Sequence, residues 1–69
     1  MQVKDRILKL LEDNREGLTI TDTSKKLGIH YITASKYLAV LEAEGKVRRR
    51  DIGMAKVFRT NRLGEIKSG

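Results

Sequence analysis

The sequence predicts an α+β fold that is mainly α, in which a bundle of three helices is followed by a β-hairpin. Two helical patterns lie on either side of a single glycine, Gly28, and an amphipathic stripe precedes them. After Gly45 the pattern changes from helical to alternating. At 69 residues we expect one domain over residues 1–69, because a chain of this length supports a single small core.

The first predicted element is a helix over about residues 3–13. Its apolar side chains recur at i, i+4, i+7 and i+8, which puts them on one face: Val3, Ile7, Leu10 and Leu11. Turn residues follow at 14–17. Residues 18–20 then alternate as a short strand would, and we expect this strand to pair with the hairpin.

Residues 21–45 predict two helices joined by a tight turn. We expect the first to begin at Thr21, whose hydroxyl can accept a hydrogen bond from a free backbone amide. Gly28 ends this helix, because glycine adopts the left-handed conformation without a steric penalty. The second helix begins at about Tyr31, and Gly45 ends it in the same way.

The second helix has a predicted core face made of Ala34, Leu38 and Leu41, at spacings of four and three. Helices joined by so short a turn cross steeply, which projects the start of the second one outward, where a DNA major groove could receive it. Ser24 lies where the helices cross. If its hydroxyl is buried there, it needs a backbone hydrogen-bond partner.

Residues 46–60 alternate around a glycine and predict two strands of a hairpin. Val47 and Phe58 are expected to face the core. Three basic side chains are then free to project, namely Arg48, Arg50 and Lys56. The remaining residues, 61–69, form a short basic tail with room for at most one helical turn.

The positive charge is concentrated in the last third of the chain. Fifteen basic and nine acidic residues give a net charge of +6. Residues 1–45 contain seven of each, whereas residues 46–69 contain eight basic and two acidic residues and so carry the whole excess. Such an asymmetry is typical of a surface that binds a polyanion, and nucleic acid is the first candidate.

The run LGIHYITASKYLAVLEAEGKV, residues 27–47, resembles the winged helix-turn-helix domains of prokaryotic transcription regulators, of the multiple-antibiotic-resistance and arsenic-responsive repressor type. The positions of the family's loose pattern are held by Leu27, Gly28, Ile29, His30, Leu38, Leu41, Glu44 and Gly45. The resemblance implies that the hairpin is a wing and that the partner is double-stranded DNA, bound by a transcription regulator.

The resemblance also implies which residues contact DNA. The base-facing positions of the second, or recognition, helix would be His30, Tyr31, Ile32, Thr33, Ser35, Lys36 and Ala39. Phosphates or a narrow minor groove would be contacted by Lys25, Lys26, Arg48, Arg49, Arg50, Lys56 and Arg59. Arginine, asparagine and glutamine discriminate bases best and are absent from the base-facing set, so we expect modest sequence selectivity.

Two other functions compete with this one. A winged helix could act on RNA or within a ribonucleoprotein through the same basic surface. Alternatively, Tyr31 and Ile32 could form a patch that binds another protein.

The three consecutive arginines could also be a solvated strand face in which Arg49 is partly buried along its stem. His30 stands where serine is common, so we expect it to start a helix.

Composition argues against several classes of protein. With no cysteine, one histidine and no glycine-rich phosphate loop, we expect no enzyme, catalytic residue, metal site or cofactor. No pocket for a small-molecule effector is predicted at this length.

The chain has no apolar run of about 20 residues, and its first residues are charged. We therefore expect a cytoplasmic, nucleoid-associated protein without a membrane partner. Because so small a core supplies little stability, association into a homodimer is a further expectation.

Overall fold

The computed structural model describes residues 2–61, so the predicted tail, with its single helical turn, lies outside the described residues except for Asn61. Three helices and a three-stranded antiparallel sheet make the fold, which is the mainly helical winged helix-turn-helix predicted from the sequence. In chain order the elements are α1 (Val3–Asp13), β1 (Leu18–Thr19), α2 (Ile20–Leu27), α3 (Tyr31–Ala43), β2 (Val47–Ile52) and β3 (Ala55–Thr60).

The sheet has the strand order β1-β3-β2, with both pairs antiparallel. Leu18 of β1 lies opposite Phe58 of β3, and Val47 of β2 lies opposite Thr60. The short strand before the helix-turn-helix therefore pairs with the wing, as expected. This pairing holds the base of the wing against the helices.

A single core joins the helices to the sheet. Ile7 and Leu11 of α1 and Leu38 of α3 are completely buried. The sheet adds Val47 and Phe58, at 2% and 4% exposure, which confirms both as core-facing residues. Each such side chain contributes about 1.5–3 kcal/mol through burial, so loss of any one of these contacts would weaken the attachment of the wing to the bundle.

The start of α2 differs from the expectation. Thr19, and not Thr21, caps the helix: its Oγ1 atom accepts a hydrogen bond of 3.0 Å from the backbone N–H of Asp22. Ile20, expected in the strand, is the first helical residue. The cause is that β1 ends directly at the helix, so the extended backbone of Thr19 (φ −79°, ψ 170°) already has the conformation that a cap requires.

The base of the wing is closed by Asn61. Its backbone N–H donates to the carbonyl oxygen of Lys46 at 3.0 Å, and its side-chain Nδ2 donates to the carbonyl oxygen of Gly45, also at 3.0 Å. Gly45 follows the last turn of α3, where the N–H of Lys46 donates to the carbonyl of Leu41 at 2.9 Å. The end of β3 is thus tied to the end of α3.

Candidate nucleic-acid interface

The turn between α2 and α3 fixes the start of the recognition helix, α3. Gly28 has φ +67°, the left-handed conformation that lets α2 end without strain. The N–H of Ile29 then donates to the carbonyl of Ser24 at 3.0 Å, while the Ser24 hydroxyl donates to the carbonyl of Thr21 at 2.9 Å. The buried serine therefore has the backbone partner that the sequence analysis required.

His30 caps α3. Its Nδ1 atom accepts a hydrogen bond of 3.1 Å from the backbone N–H of Ile32, and its backbone is extended. The helix-start role expected for this histidine is thereby confirmed. The other ring nitrogen lies on an exposed residue at the outer end of the recognition helix, where it can also contact a ligand.

One stripe of α3 faces solvent. Ile32, Lys36 and Ala39 lie at i, i+4 and i+7 and are all exposed, opposite the core face of the helix. Ile32 is 69% exposed, which is high for so large an apolar side chain. The Nζ atom of Lys36 lies 5.3 Å from the centroid of the Tyr37 ring, close enough for a cation–π contact.

The other predicted base-facing residues flank this stripe. Tyr31 is half exposed at the first turn, and Ser35 lies beyond it on the side of the helix nearer the wing. Thr33 is half-buried on the opposite side of the stripe. Six of the seven predicted positions therefore form a central stripe with two margins, and the seventh, His30, caps the helix.

The three consecutive arginines do not share one surface. Arg48 lies opposite Arg59, and Arg50 lies opposite Val57, so these side chains are on the sheet face that points away from the core. Arg49 lies opposite the buried Phe58, on the other face. The alternation separates Arg49 from its neighbours, as the competing interpretation of this segment anticipated.

Arg49 is also the arginine with acidic partners. Its Nε atom lies 3.9 Å from a carboxylate oxygen of Glu42 on α3 and 3.8 Å from one of Asp51 on the same strand. Lys56, opposite Asp51, lies on this face too and is exposed. The expected projecting residues Arg48, Arg50 and Lys56 are thus all exposed, but on two faces of the wing.

Most of the predicted phosphate-binding cations have no acidic partner. Within residues 2–61, the ion pairs involve Lys4, Lys46 and Arg49 among the basic residues. Lys25 and Lys26 are exposed in the last turn of α2. These lysines and the outward-facing wing arginines therefore carry positive charge that the described part of the chain leaves uncompensated.

An open groove of about 310 Å³ separates the recognition helix from the tip of the wing. The start of α2 and the first turn of α3 form one wall, and the start of β3 forms the other. The groove is lined by Thr19, Ile20, Thr21, Tyr31, Met54, Ala55 and Lys56. The hydroxyl groups and the ammonium group make it suited to an anionic, ridge-shaped ligand.

A family comparison identifies the domain. The model of the IclR helix-turn-helix domain matches residues 6–51, which is about two thirds of the 69-residue chain. The chain belongs to the IclR helix-turn-helix family. The IclR-type domain is accordingly a DNA-binding domain of a bacterial transcription regulator. The match supports the winged helix-turn-helix assignment in general, but not the narrower resemblance to multiple-antibiotic-resistance or arsenic-responsive repressors. No curated protein matches the chain.

Sequence reasoning missed the wing tip of this IclR-type domain. Met54 is fully exposed and Ile52 is 55% exposed. The sequence did contain a sign of this apolar tip, since two large apolar residues on either side of Gly53 interrupt an otherwise charged hairpin.

Across the described residues, no helix is long and apolar enough to span a membrane. In the same residues, no cluster of three or more His, Cys, Asp or Glu side chains is placed to hold a metal ion.

Proposed function

We propose that this IclR-type domain binds duplex DNA with α3 in the major groove and the wing on the adjacent backbone and minor groove. The observation that carries the proposal is the position of the groove: Tyr31, at the margin of the exposed helical stripe, lines one side of it, and Met54 and Lys56 of the basic wing line the other. In this arrangement one sugar–phosphate strand would lie in the groove, since that strand divides the major groove from the minor groove.

Base contacts are assigned to the exposed stripe and its margins. Ile32 and Tyr31 are suited to the methyl groups of thymine, and Lys36 to guanine or a phosphate. Hydroxyl and imidazole groups on the remaining positions can bond to several base edges. The full base-facing set is His30, Tyr31, Ile32, Thr33, Ser35, Lys36 and Ala39. We expect modest sequence selectivity, because no bidentate reader of adenine and no arginine is among them.

Phosphate contacts are assigned to the cations that form no ion pair within residues 2–61. Arg48, Arg50 and Arg59 belong to the outward face of the wing, and Lys56 borders the groove. Lys25 and Lys26 are added from α2. Arg49 contributes less, because its guanidinium group already pairs with carboxylates. Neutralising about six phosphates gives log affinity a slope of roughly −5 against log salt concentration.

The domain is further proposed to act in the cytoplasm and to assemble as a dimer on DNA. Residues 1–69 act as one winged-helix domain, without catalysis, cofactor or small-molecule effector, in the cytoplasm and on the nucleoid. A homodimer with either α1 or the short tail at its seam would bind a palindromic site whose half-sites lie about one or two helical turns apart. Cross-linking in the presence of DNA, followed by site selection from random duplexes, tests both features.

Fluorescence anisotropy tests DNA binding directly. A random duplex of about two helical turns is titrated at two salt concentrations with wild type and with Arg48→Ala/Arg50→Ala. The matched control is Arg6→Ala/Lys9→Ala, which removes the same charge from exposed positions on α1. We expect the wing variant to lose affinity and to flatten the salt slope by roughly 0.9 for each lost phosphate contact, while the control keeps nearly the full slope.

The competing functions give different results in the same assay. Equal or tighter binding of a structured RNA at the same salt concentration would favour an RNA ligand over duplex DNA. Weak, salt-insensitive binding of both nucleic acids would contradict the proposal. Capture of a protein partner that Ile32→Glu abolishes would then favour the interaction module, since Ile32 and Tyr31 are large exposed apolar residues.

A further inference from the structure

The tip of the wing is apolar, although the strands that lead to it are charged. Met54 is fully exposed and Ile52 is 55% exposed. Arg50 and Asp51 precede this tip and Lys56 follows it. Met54 and Ile52 together form an exposed apolar tip on an otherwise charged hairpin. Contiguous exposed apolar surface with a polar rim is typical of a site that contacts a partner.

The turn makes the tip narrow. Ile52 and Ala55 are the last paired residues, which leaves the two-residue loop Gly53–Met54. Gly53 has φ +61°, and no residue other than glycine has a positive φ in the described chain. A positive φ at only the first loop residue is the pattern of a type II′ turn. Met54 therefore stands at the end of a two-stranded ribbon, where its side chain projects beyond the last paired residues.

The position of Met54 relative to α3 indicates which groove it meets. Met54 and Lys56 line the wall of the groove that faces Tyr31 and the start of α2. With α3 in the major groove and one backbone strand between the two walls, the side beyond that strand is the minor groove. Met54, at the end of the ribbon on this wall, is then placed to reach past that strand.

The charges beside the tip fit the same location. Arg50 lies on the outward face of the wing, and Lys56, opposite Asp51, lies on the other face. Cations that neutralise phosphates contribute to DNA affinity. Arg50 and Lys56 supply one cation on each face of the ribbon, beside an uncharged tip.

We propose that Met54, backed by Ile52, is an apolar wedge that enters the minor groove at a base step and partly unstacks it. This inference rests on the proposed DNA-binding function. Methionine and isoleucine are among the side chains that intercalate in this way and kink the duplex. Through this wedge the wing would favour base steps that unstack easily, whereas α3 contacts base edges in the major groove.

The wedge predicts a preference opposite to that of a minor-groove arginine. An arginine favours stiff A-tracts, whose minor groove is narrow and strongly negative. A wedge favours pyrimidine–purine steps such as TA, which unstack easily. Two duplexes of identical composition separate these cases: alternating TA repeats and a homopolymeric A-tract paired with its T-tract.

The test measures affinity by anisotropy and bending by energy transfer between dyes at the two duplex ends. Wild type should bind the TA duplex roughly tenfold more tightly than the A-tract and should bend it. Met54→Ser should lose both the preference and the bend, while keeping salt-dependent binding. Met54→Leu should keep them, and Met54→Arg should shift the preference toward the A-tract. All of these variants should fold, because Met54 is not buried.

Each result bears on the wedge. Wild type that binds both duplexes equally and bends neither would overturn it, and so would Met54→Ser with an unchanged preference. If the Arg48→Ala/Arg50→Ala variant still shows the affinity loss in either case, DNA binding survives and only the wedge is lost. If wild type binds no duplex, the wedge and the proposed function fall together.

Discussion

Arg48 lies directly opposite Arg59 across β2 and β3, so two guanidinium groups are cross-strand neighbours on the outward face of the wing. Like charges in this arrangement destabilise a sheet. Neither residue belongs to an ion pair within residues 2–61. We expect this like-charge pair to repel in the free domain and the phosphates of a bound duplex to relieve the repulsion.

Arg48→Glu should stabilise the free domain and weaken DNA binding. The substitution replaces a like-charge pair by an opposite-charge pair, which is worth about 0.2–1 kcal/mol in a sheet, and it places a carboxylate beside the phosphates. Urea denaturation should show a higher midpoint, and duplex anisotropy should show a lower affinity. Arg6→Glu, with the same change of charge on an exposed residue of α1, is the control. A lower urea midpoint for Arg48→Glu would contradict the repulsion.

Thr19→Val should destabilise the domain, whereas Thr21→Val should not. The first substitution keeps the shape of the side chain but removes the oxygen that accepts from the N–H of Asp22. Loss of a cap typically costs about 1 kcal/mol. Thr21 is exposed in the first turn and its side chain caps nothing, so its change should stay within about 0.5 kcal/mol. Chemical denaturation of the two variants side by side decides which threonine starts α2.

This pair of threonines also shows where sequence reasoning succeeds and where it stops. Apolar residues at helical spacing identified α1 and the core face of α3, because a helix that is buried on one side has apolar residues every three or four positions. The glycine identified the turn. The choice of cap was wrong because Thr19 and Thr21 have the same chemistry. Only the pairing of Leu18 with Phe58 shows that the strand ends at Thr19.

The wing could be predicted as a hairpin, but its two faces could not. Alternation implied that one of three adjacent arginines would differ from the others. Which face meets the core depends on the register, in which Arg49 lies opposite Phe58. The groove beside Met54 was invisible for a similar reason, since its walls come from segments that are far apart in the chain. The DNA contacts themselves remain predictions.

His30→Ser should separate the capping role of His30 from its proposed contact with DNA. Serine is a good cap, so it can replace the Nδ1 acceptor for the N–H of Ile32 and preserve stability. If the imidazole also contacts a base, His30→Ser should weaken duplex binding without a change in the urea midpoint. His30→Ala should lower both quantities, with a loss of stability of about 1 kcal/mol. Unchanged affinity in His30→Ser would remove His30 from the base-facing set.

Acidification should weaken the contact between α1 and the end of α3. The hydrogen bond of 2.8 Å from Lys4 Nζ, with help from Lys46, holds the pKa of the Glu44 carboxyl below its ordinary value of 4.5. A lowered folded pKa means that the stabilisation is fully present above 4.5 and is lost as the pH falls through the folded value. The effect should be small, since both side chains are accessible to solvent.

The measurement is the urea midpoint of wild type and of Lys4→Met at about pH 7 and about pH 3. The drop between the two pH values should be larger in wild type, and high salt should reduce the difference. Lys9→Met, at an exposed position of α1, should behave like wild type. An identical drop in wild type and Lys4→Met would show that Glu44 does not couple α1 to α3.

The hydrogen bonds of Asn61 to Gly45 and Lys46 give the wing a mechanical property. They close the hairpin at the end opposite Gly53, so hydrogen bonds hold β2 and β3 together at the base of the wing. We expect these bonds to resist separation of the strands at their base, so that a displacement of the tip is transmitted to the last turn of α3. The distance between the wing and the recognition helix should therefore depend on the backbone conformation at the α3–β2 junction.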